Sequence, residues 1–166
     1  DLEAGFDPNA ILTDDDIFDV TRMDLASIRA FLKARGSLNT IKVMDTDGIE
    51  KEPAQVIWRV ATTYKINPQY LLVLLQKEQS LVETKNITQR ALDWATGFGV
   101  CDACAKDDPR IQDFKGFANQ VEYAAKQHRE RYYMQLLGKG TTISGHAPDK
   151  TVLISGSKIT PVNNAT

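Results

Sequence analysis

Residues 67–82 read NPQYLLVLLQKEQSLV, and how this stretch folds decides the fold of the chain. Asn67-Pro68 is an N-cap followed by a first-turn proline, the sharpest helix-start signal in the sequence. The helix it opens is apolar almost all round for two turns, as expected of the buried centre of a domain. Its tail is polar, and one residue there carries chemistry. Glu78 lies seven residues after Leu71 and so projects from nearly the same face. On a buried face a carboxylic acid is desolvated, which raises its pKa and keeps it protonated near neutral pH. A general acid for glycosidic-bond cleavage needs that property. The opposite reading puts Glu78 on a solvent stripe with Lys77 and Gln79, since ionisable side chains are mostly exposed. Helix position alone leaves both readings open.

Upstream, residues 1–10 lack periodicity and read as a tail. Thr13 before Asp14, Asp15 and Asp16 marks a helix start, and Asp24 caps a second helix with Leu25, Ile28, Phe31 and Leu32 on one face and Gly36 as its stop. Residues 37–52 read as a loop or short hairpin. Pro53 opens a third helix with Val56, Ile57, Val60, Ala61 and Tyr64 along one stripe. Downstream, Thr88 to Trp94 gives a short helix, and ATGFGVCDACAKDD, residues 95–108, is loop. Asp108-Pro109 repeats the cap-plus-proline signal. It predicts one long helix carrying Ile111, Phe114, Ala118, Val121, Ala125, His128 and Tyr132, with Gly116 as a bend. After Gly138 the pattern changes to short β-like runs, TTIS and TVLIS, with GSK between the latter and ITPV, which predicts a small hairpin. The expected architecture is mainly α: an N-terminal helical extension and loop over 1–52, a helical core over 53–137, and a β-rich segment over 138–166. The closing Asn-Ala-Thr reads as an interrupted segment, and the opening at Asp1 fits a removed leader or a trimmed end alike.

Composition narrows the function classes. The chain has 166 residues, 42% hydrophobic and 25% charged, with 20 Lys+Arg against 22 Asp+Glu for a net charge of −2. That length suits one domain with a small appendage. Near-neutrality argues against a nucleic-acid binder, whose affinity comes from a basic face. The longest uninterrupted apolar run is Tyr70 to Leu75, far short of the roughly 18 residues that a membrane-spanning helix needs.

The downstream loop adds weight to Glu78. Gly97-Phe98-Gly99-Val100 comes after Trp94 and before the helix of Pro109. With K-E-Q-S-L at Lys77–Leu81 and FANQVEYAAKQHRERY from Phe117, the sequence resembles the lysozyme-like superfamily, specifically goose-type lysozymes and soluble lytic transglycosylases. In those families a central helix ends in a catalytic Glu within an E-S-x-F-like motif. A G-x-G-L-M-Q-like loop then lines the cleft, and an N-I-x-x-G-x-x-Y-L helix packs beneath it. Asn119 and Val121 stand in the matching places of that helix. The resemblance covers roughly residues 54–133. Gln79 stands where a Ser usually follows the catalytic Glu, Cys101-Asp102 replaces the M-Q pair, and the transglycosylases' later A-Y-N signature has no counterpart.

The resemblance implies cleavage of the β-1,4 bond between N-acetylmuramic acid and N-acetylglucosamine in peptidoglycan, with Glu78 protonating the leaving oxygen. It also implies export to the cell envelope or medium. A hydrolase needs a second carboxylate, about 5 Å away for retention or about 6.5–9.5 Å for inversion, and Asp93 and Asp102 flank the loop. A lytic transglycosylase needs none, because the substrate's own hydroxyl or N-acetyl group attacks. Either Asp equally reads as a loop cap. Ser80, Gly97 and Gly99 are expected to orient acid and sugar, and Trp94, Phe98 and Tyr133 are candidate sugar-facing rings, although any one ring is more often core. No cofactor is required.

Cys101 and Cys104 form a C-x-x-C pair, read first as a local disulfide staple of the loop. A redox motif would want a βαβ context, and zinc would want four ligands where only His128 and His146 remain. A calcium loop at Asp45–Gly48 fails, because its register puts Val43 and Ala54 at the first and last ligand positions. No metal site is expected. Two other classes stay open: a non-catalytic glycan-binding module of the same fold, and a thiol–disulfide protein using the cysteine pair.

Overall fold

Local capping chemistry sets most of the helix starts. Thr13 Oγ1 accepts from the Asp16 backbone N–H at 3.0 Å and starts α1 (Asp14–Phe18). Asp24 Oδ1 accepts from Ser27 N–H at 2.7 Å and starts α2 (Leu25–Arg35). A reciprocal capping box between Glu52 and Gln55, with Pro53 at the first position, starts α3 (Pro53–Tyr64). Asn67 caps α4 (Pro68–Gln79) and Thr88 caps α5 (Gln89–Asp93). Between α2 and α3 a minimal antiparallel pair, β1 (Val43–Met44) and β2 (Glu50–Lys51), turns at Asp45–Gly48. After α5 come α6 (Phe117–Lys126), α7 (Met134–Lys139) and the hairpin β3 (Val152–Ile154) with β4 (Ser157–Ile159). The computed structural model describes residues 5–101, 103 and 105–166. The protein is mainly α with a small C-terminal hairpin.

The single long helix expected from Pro109 is replaced by separate pieces. Residues Pro109–Phe114 form a 3-10 turn, Lys115 is extended, and Gly116 adopts φ +103° before α6 begins. The Gly116 N–H leaves any helical path and donates to the Asp93 carbonyl at 2.9 Å. Beyond α6 the backbone continues as a π-helical segment, Gln127–Tyr133, before α7. Thr141–Ser144, read as β-like, forms a turn in which Gly145 N–H reaches the Thr142 carbonyl at 2.9 Å.

The contacts divide the chain into two units, Val20–Lys126 and a second made of Asp1–Asp19 with Gln127–Thr166. The first holds the main core. Ile28 and Leu32 of α2, Val56, Ile57, Val60 and Ala61 of α3, Leu75 of α4, and Val121 and Ala125 of α6 are all fully buried. Each large side chain contributes about 1.5–3 kcal/mol by leaving water. Helix α4 is one-sided: Leu71, Leu72 and Leu75 are buried, but Val73 is 62% exposed. One polar cluster crosses this unit. The fully buried Asp45 carboxylate accepts from Arg59 at 2.6 and 3.0 Å and from Lys51 at 2.7 Å. Arg59 also reaches Glu122 at 2.9 Å, and Glu122 accepts from the Tyr64 hydroxyl at 2.9 Å. The hairpin, α3 and α6 are therefore joined by charge-assisted bonds.

In the second unit, Asn9 caps the C-terminal segment, accepting from Thr160 N–H at 2.7 Å and Val162 N–H at 2.9 Å. Phe18 packs on Tyr133 at 4.1 Å between centroids, with the Arg129 guanidinium 4.4 Å above the Phe18 ring. Burial pushes the His128 imidazole below its ordinary pKa.

Candidate active site

Helix α4 delivers Glu78 in its last turn. Ser80 then adopts the left-handed conformation, φ +55°, and closes the helix as its N–H donates to the Gln76 carbonyl at 2.9 Å, while Leu81 N–H reaches the Leu75 carbonyl at 3.2 Å. Of the two readings of Glu78 that the helix left open, the geometry favours the solvent-facing one. The Glu78 side chain is 33% exposed and pairs with the Lys77 ammonium at 2.9 Å. The face that buries Leu71 and Leu75 runs out of covering neighbours one turn later.

The structure does bring Glu78 to the glycine loop. A Cβ added to Gly97 would lie 3.6 Å from Glu78 Oε2, so the carboxylate rests over the bare backbone of that residue. Gly97 N–H donates to the Trp94 carbonyl at 3.0 Å, and Val100 N–H closes the next turn onto the Gly97 carbonyl at 3.4 Å. Gly99 is the third residue of that second turn with φ +71°, the position where a type II turn calls for glycine. Its bareness also matters sterically, because a Cβ there would stand 2.2 Å from Phe114 Cδ2.

A residue that the sequence pattern does not single out holds this loop. Gln120, fully buried in α6, has all of its amide capacity directed at the loop and its flank. Its Oε1 accepts from Thr96 N–H at 3.2 Å and Phe98 N–H at 3.0 Å, and its Nε2 donates to the carbonyls of Phe98 at 3.0 Å and Phe114 at 2.7 Å. The Thr96 hydroxyl adds a bond to the Gln120 carbonyl at 2.9 Å. The available signal was positional: Gln120 falls three residues after Phe117 and four before Ala124, on the buried stripe of its helix.

Aromatic side chains surround the same place unequally. Phe98 stacks on Tyr123 at 5.3 Å and meets Phe114 edge-on at 5.2 Å, and all three rings are half-buried. Trp94, by contrast, is 4% exposed, with the Lys106 ammonium 5.5 Å from its ring. It is a core residue, which corrects its reading as a sugar-facing ring. Asp93 is committed to structure on both oxygens: Oδ1 accepts from Gln89 at 2.8 Å and Oδ2 pairs with Lys115 at 3.5 Å.

The family model described as LasA, N-terminal domain, matches residues 10–153. The chain belongs to the LasA N-terminal domain family. No curated protein and no solved structure matches it. In this LasA N-terminal domain the match takes in Glu78, the glycine loop and Gln120 alike. Tyr133 belongs to the second unit, where it packs on Phe18. Cys101 is disulfide-bonded, whereas Cys104 and the candidate carboxylate Asp102 lie outside the described residues. Among the described residues, no cluster of three or more His, Cys, Asp or Glu side chains could hold a metal ion, and no helix is long and apolar enough to cross a membrane.

Proposed function

We propose that this domain cleaves the β-1,4 bond between N-acetylmuramic acid and N-acetylglucosamine in peptidoglycan, with Glu78 as the general acid on a lysozyme-like helical framework. The observation that carries the reading is the seat of the Glu78 carboxylate over the bare backbone of Gly97, at the meeting of a helix end and a glycine loop. Membership of the LasA N-terminal domain family supports a cell-wall-related, secreted protein. The disulfide at Cys101 accords with an oxidising compartment.

In this reading Glu78 gives its proton to the bridging oxygen as the C1–O bond breaks. The exposed pair with Lys77 is weak in water, and a sugar chain laid over Glu78 and the glycine loop supplies the water exclusion that the free protein lacks. The second half of the reaction is assigned to the substrate. Asp93 is occupied by Gln89 and Lys115, which favours attack by the muramic acid's own 6-hydroxyl. That hydroxyl returns its proton to the Glu78 carboxylate, and a 1,6-anhydro product leaves. The glycines leave room for close approach of the sugar, and Phe98 and Tyr123 offer ring surface beside it.

The test is mass spectrometry of peptidoglycan digested with the wild type and with Glu78→Gln. Anhydro-muropeptides from the wild type alone support the transglycosylase form. Reducing-end muropeptides would assign hydrolysis and turn attention to Asp102. Equal, negligible release by both proteins would sink the catalytic reading. The exposure of Glu78 and its pairing with Lys77 favour one second reading, a glycan-binding module without turnover. Retention of wild type and Glu78→Gln alike on insoluble peptidoglycan, without release, would support it.

A further inference from the structure

We propose that Gln120 is a positioning residue of the Glu78 site, setting the attitude of the glycine loop on which the acid rests. The inference builds on the glycosidase reading and adds a residue to it. A buried glutamine in a helix is ordinarily a satisfied core polar group, and its partners are then scattered through the core. Here they are not. Thr96 N–H, Phe98 N–H and the Phe98 carbonyl all belong to the loop, and the Phe114 carbonyl belongs to the segment whose ring lies against Gly99.

The amide pairs with both the N–H and the C=O of Phe98, as a neighbouring strand would. Phe98 is the residue between the two glycines, so fixing its peptide groups fixes the direction from which Gly97 meets Glu78 Oε2, 3.6 Å beyond its missing Cβ. Glycines provide no rotational restraint of their own. The restraint comes from α6, whose own register is held by Glu122 through Arg59 and Tyr64. A single amide thus converts a loop of high intrinsic freedom into one wall of a site. Misplacement of such a wall by about 1 Å is enough to cost roughly 10²-fold in rate.

Two near-isosteric variants test this. Gln120→Glu keeps an acceptor for Thr96 and Phe98 but loses both donors, and Gln120→Met keeps length and volume but loses every bond. Muropeptide release is measured as kcat and KM separately, and backbone hydrogen exchange is followed across residues 20–126. The expected result is a kcat lower by about 10²-fold with KM changed far less. Exchange should speed up at the Thr96 and Phe98 amides, while the Ala124 and Ala125 amides in α6 stay protected. A kcat within twofold of wild type in a variant whose Thr96 and Phe98 amides have become labile would overturn the proposal. So would loss of protection throughout residues 20–126 in both variants, which would make Gln120 a general stability residue. An inert wild type would sink the glycosidase reading itself. Full activity in wild type and variants would sink only the positioning role.

Discussion

Replacing Asp45 with Asn removes the charge at the centre of the network that ties the β1–β2 hairpin to α3 and α6. The wild-type carboxylate has 0% exposure and takes four donors: Arg59 Nη2 at 2.6 Å, Arg59 Nε at 3.0 Å, Lys51 Nζ at 2.7 Å and Thr46 N–H at 2.8 Å. Burial alone would raise its pKa, but the bonds from Arg59, Lys51 and Thr46 prevail and hold it at about 2, against an ordinary 3.8. At about 1.4 kcal/mol per pH unit, that depression corresponds to roughly 2.5 kcal/mol of folding stability. Breaking a buried pair by removing one partner costs about 3–5 kcal/mol. The lower end applies here, because Arg59 keeps Glu122 and Lys51 keeps Asp47. The two routes, about 2.5 and about 3 kcal/mol, agree to within roughly 0.5 kcal/mol on the loss at neutral pH.

The sign of the pH dependence follows from the depressed pKa. Stability from Asp45 is fully present above the unfolded-state value of 3.8 and disappears as pH falls from there through about 2. Urea unfolding followed by tryptophan fluorescence suits the measurement, since Trp58 and Trp94, the chain's two tryptophans, both lie in the Val20–Lys126 unit. The gap between wild type and Asp45→Asn should stay constant from about pH 8 to 5, then close progressively below about pH 4. With a slope of roughly 1–3 kcal/mol per molar urea, the neutral-pH gap moves the midpoint by about 0.8–2.5 M. Taking the difference cancels the other carboxylates, which both proteins share. A gap near zero at pH 7, one already closed at pH 5, or one unchanged below pH 2.5 would each refute the reasoning.

Gly99→Ala combines left-handed strain with a Cβ 2.2 Å from Phe114 Cδ2, so chemical denaturation should find a loss of about 2–4 kcal/mol. Gly138→Ala is its counterpart in α7, where nothing lies within 4 Å and the substitution should gain about 0.5–1 kcal/mol. Trp94→Ala should cost about 3–5 kcal/mol of stability by opening a cavity, and because the ring is 4% exposed, soluble glycan fragments should leave Trp94 fluorescence unchanged.

The parts of the fold that were legible are those made within four residues of chain. Thr13, Asp24, Asn67, Thr88 and Asp108 each accept from a backbone N–H two or three positions on, so the sequence carries both partners side by side. The hairpin at 152–159 was legible for the same reason: Ser155-Gly156, both at positive φ, supply a tight turn between β-branched runs. The division of the Pro109 helix was not legible. A 3,4 spacing of apolar residues persists across a 3-10 turn and a new helix when both bury the same side, and the decisive bond, from Gly116 N–H to the Asp93 carbonyl, spans 23 residues. Glu78 and Gln120 fall on opposite sides of the core boundary. Periodicity left the first open between core and solvent, and it ends its helix at the edge of the core, while the second, which no motif singles out, is 0% exposed.

That opposition has a physical consequence for how the site works. The proposed acid, Glu78, sits on a helix that its own cap and closing turn define. The wall opposite it has no such autonomy: Gly97 and Gly99 have no side chains, and Phe98 has its peptide groups held by a residue 22 positions away. The geometry between acid and wall therefore depends on how firmly α6 is registered against α3, and that register runs through Arg59, Glu122, Tyr64 and the buried Asp45. An ion-pair network is a costly way to build stability compared with apolar packing. It is, however, directional in a way that packed methyl groups are not, and α6 carries Glu122 and Gln120 two residues apart, one turned to the network and the other to the loop. In the proposed reaction, a substitution at Asp45 should accordingly act on rate as well as on stability, lowering kcat at temperatures where the unit is still fully folded. Stability and rate would part company in the reverse sense for Gly138→Ala, which has no route to the loop.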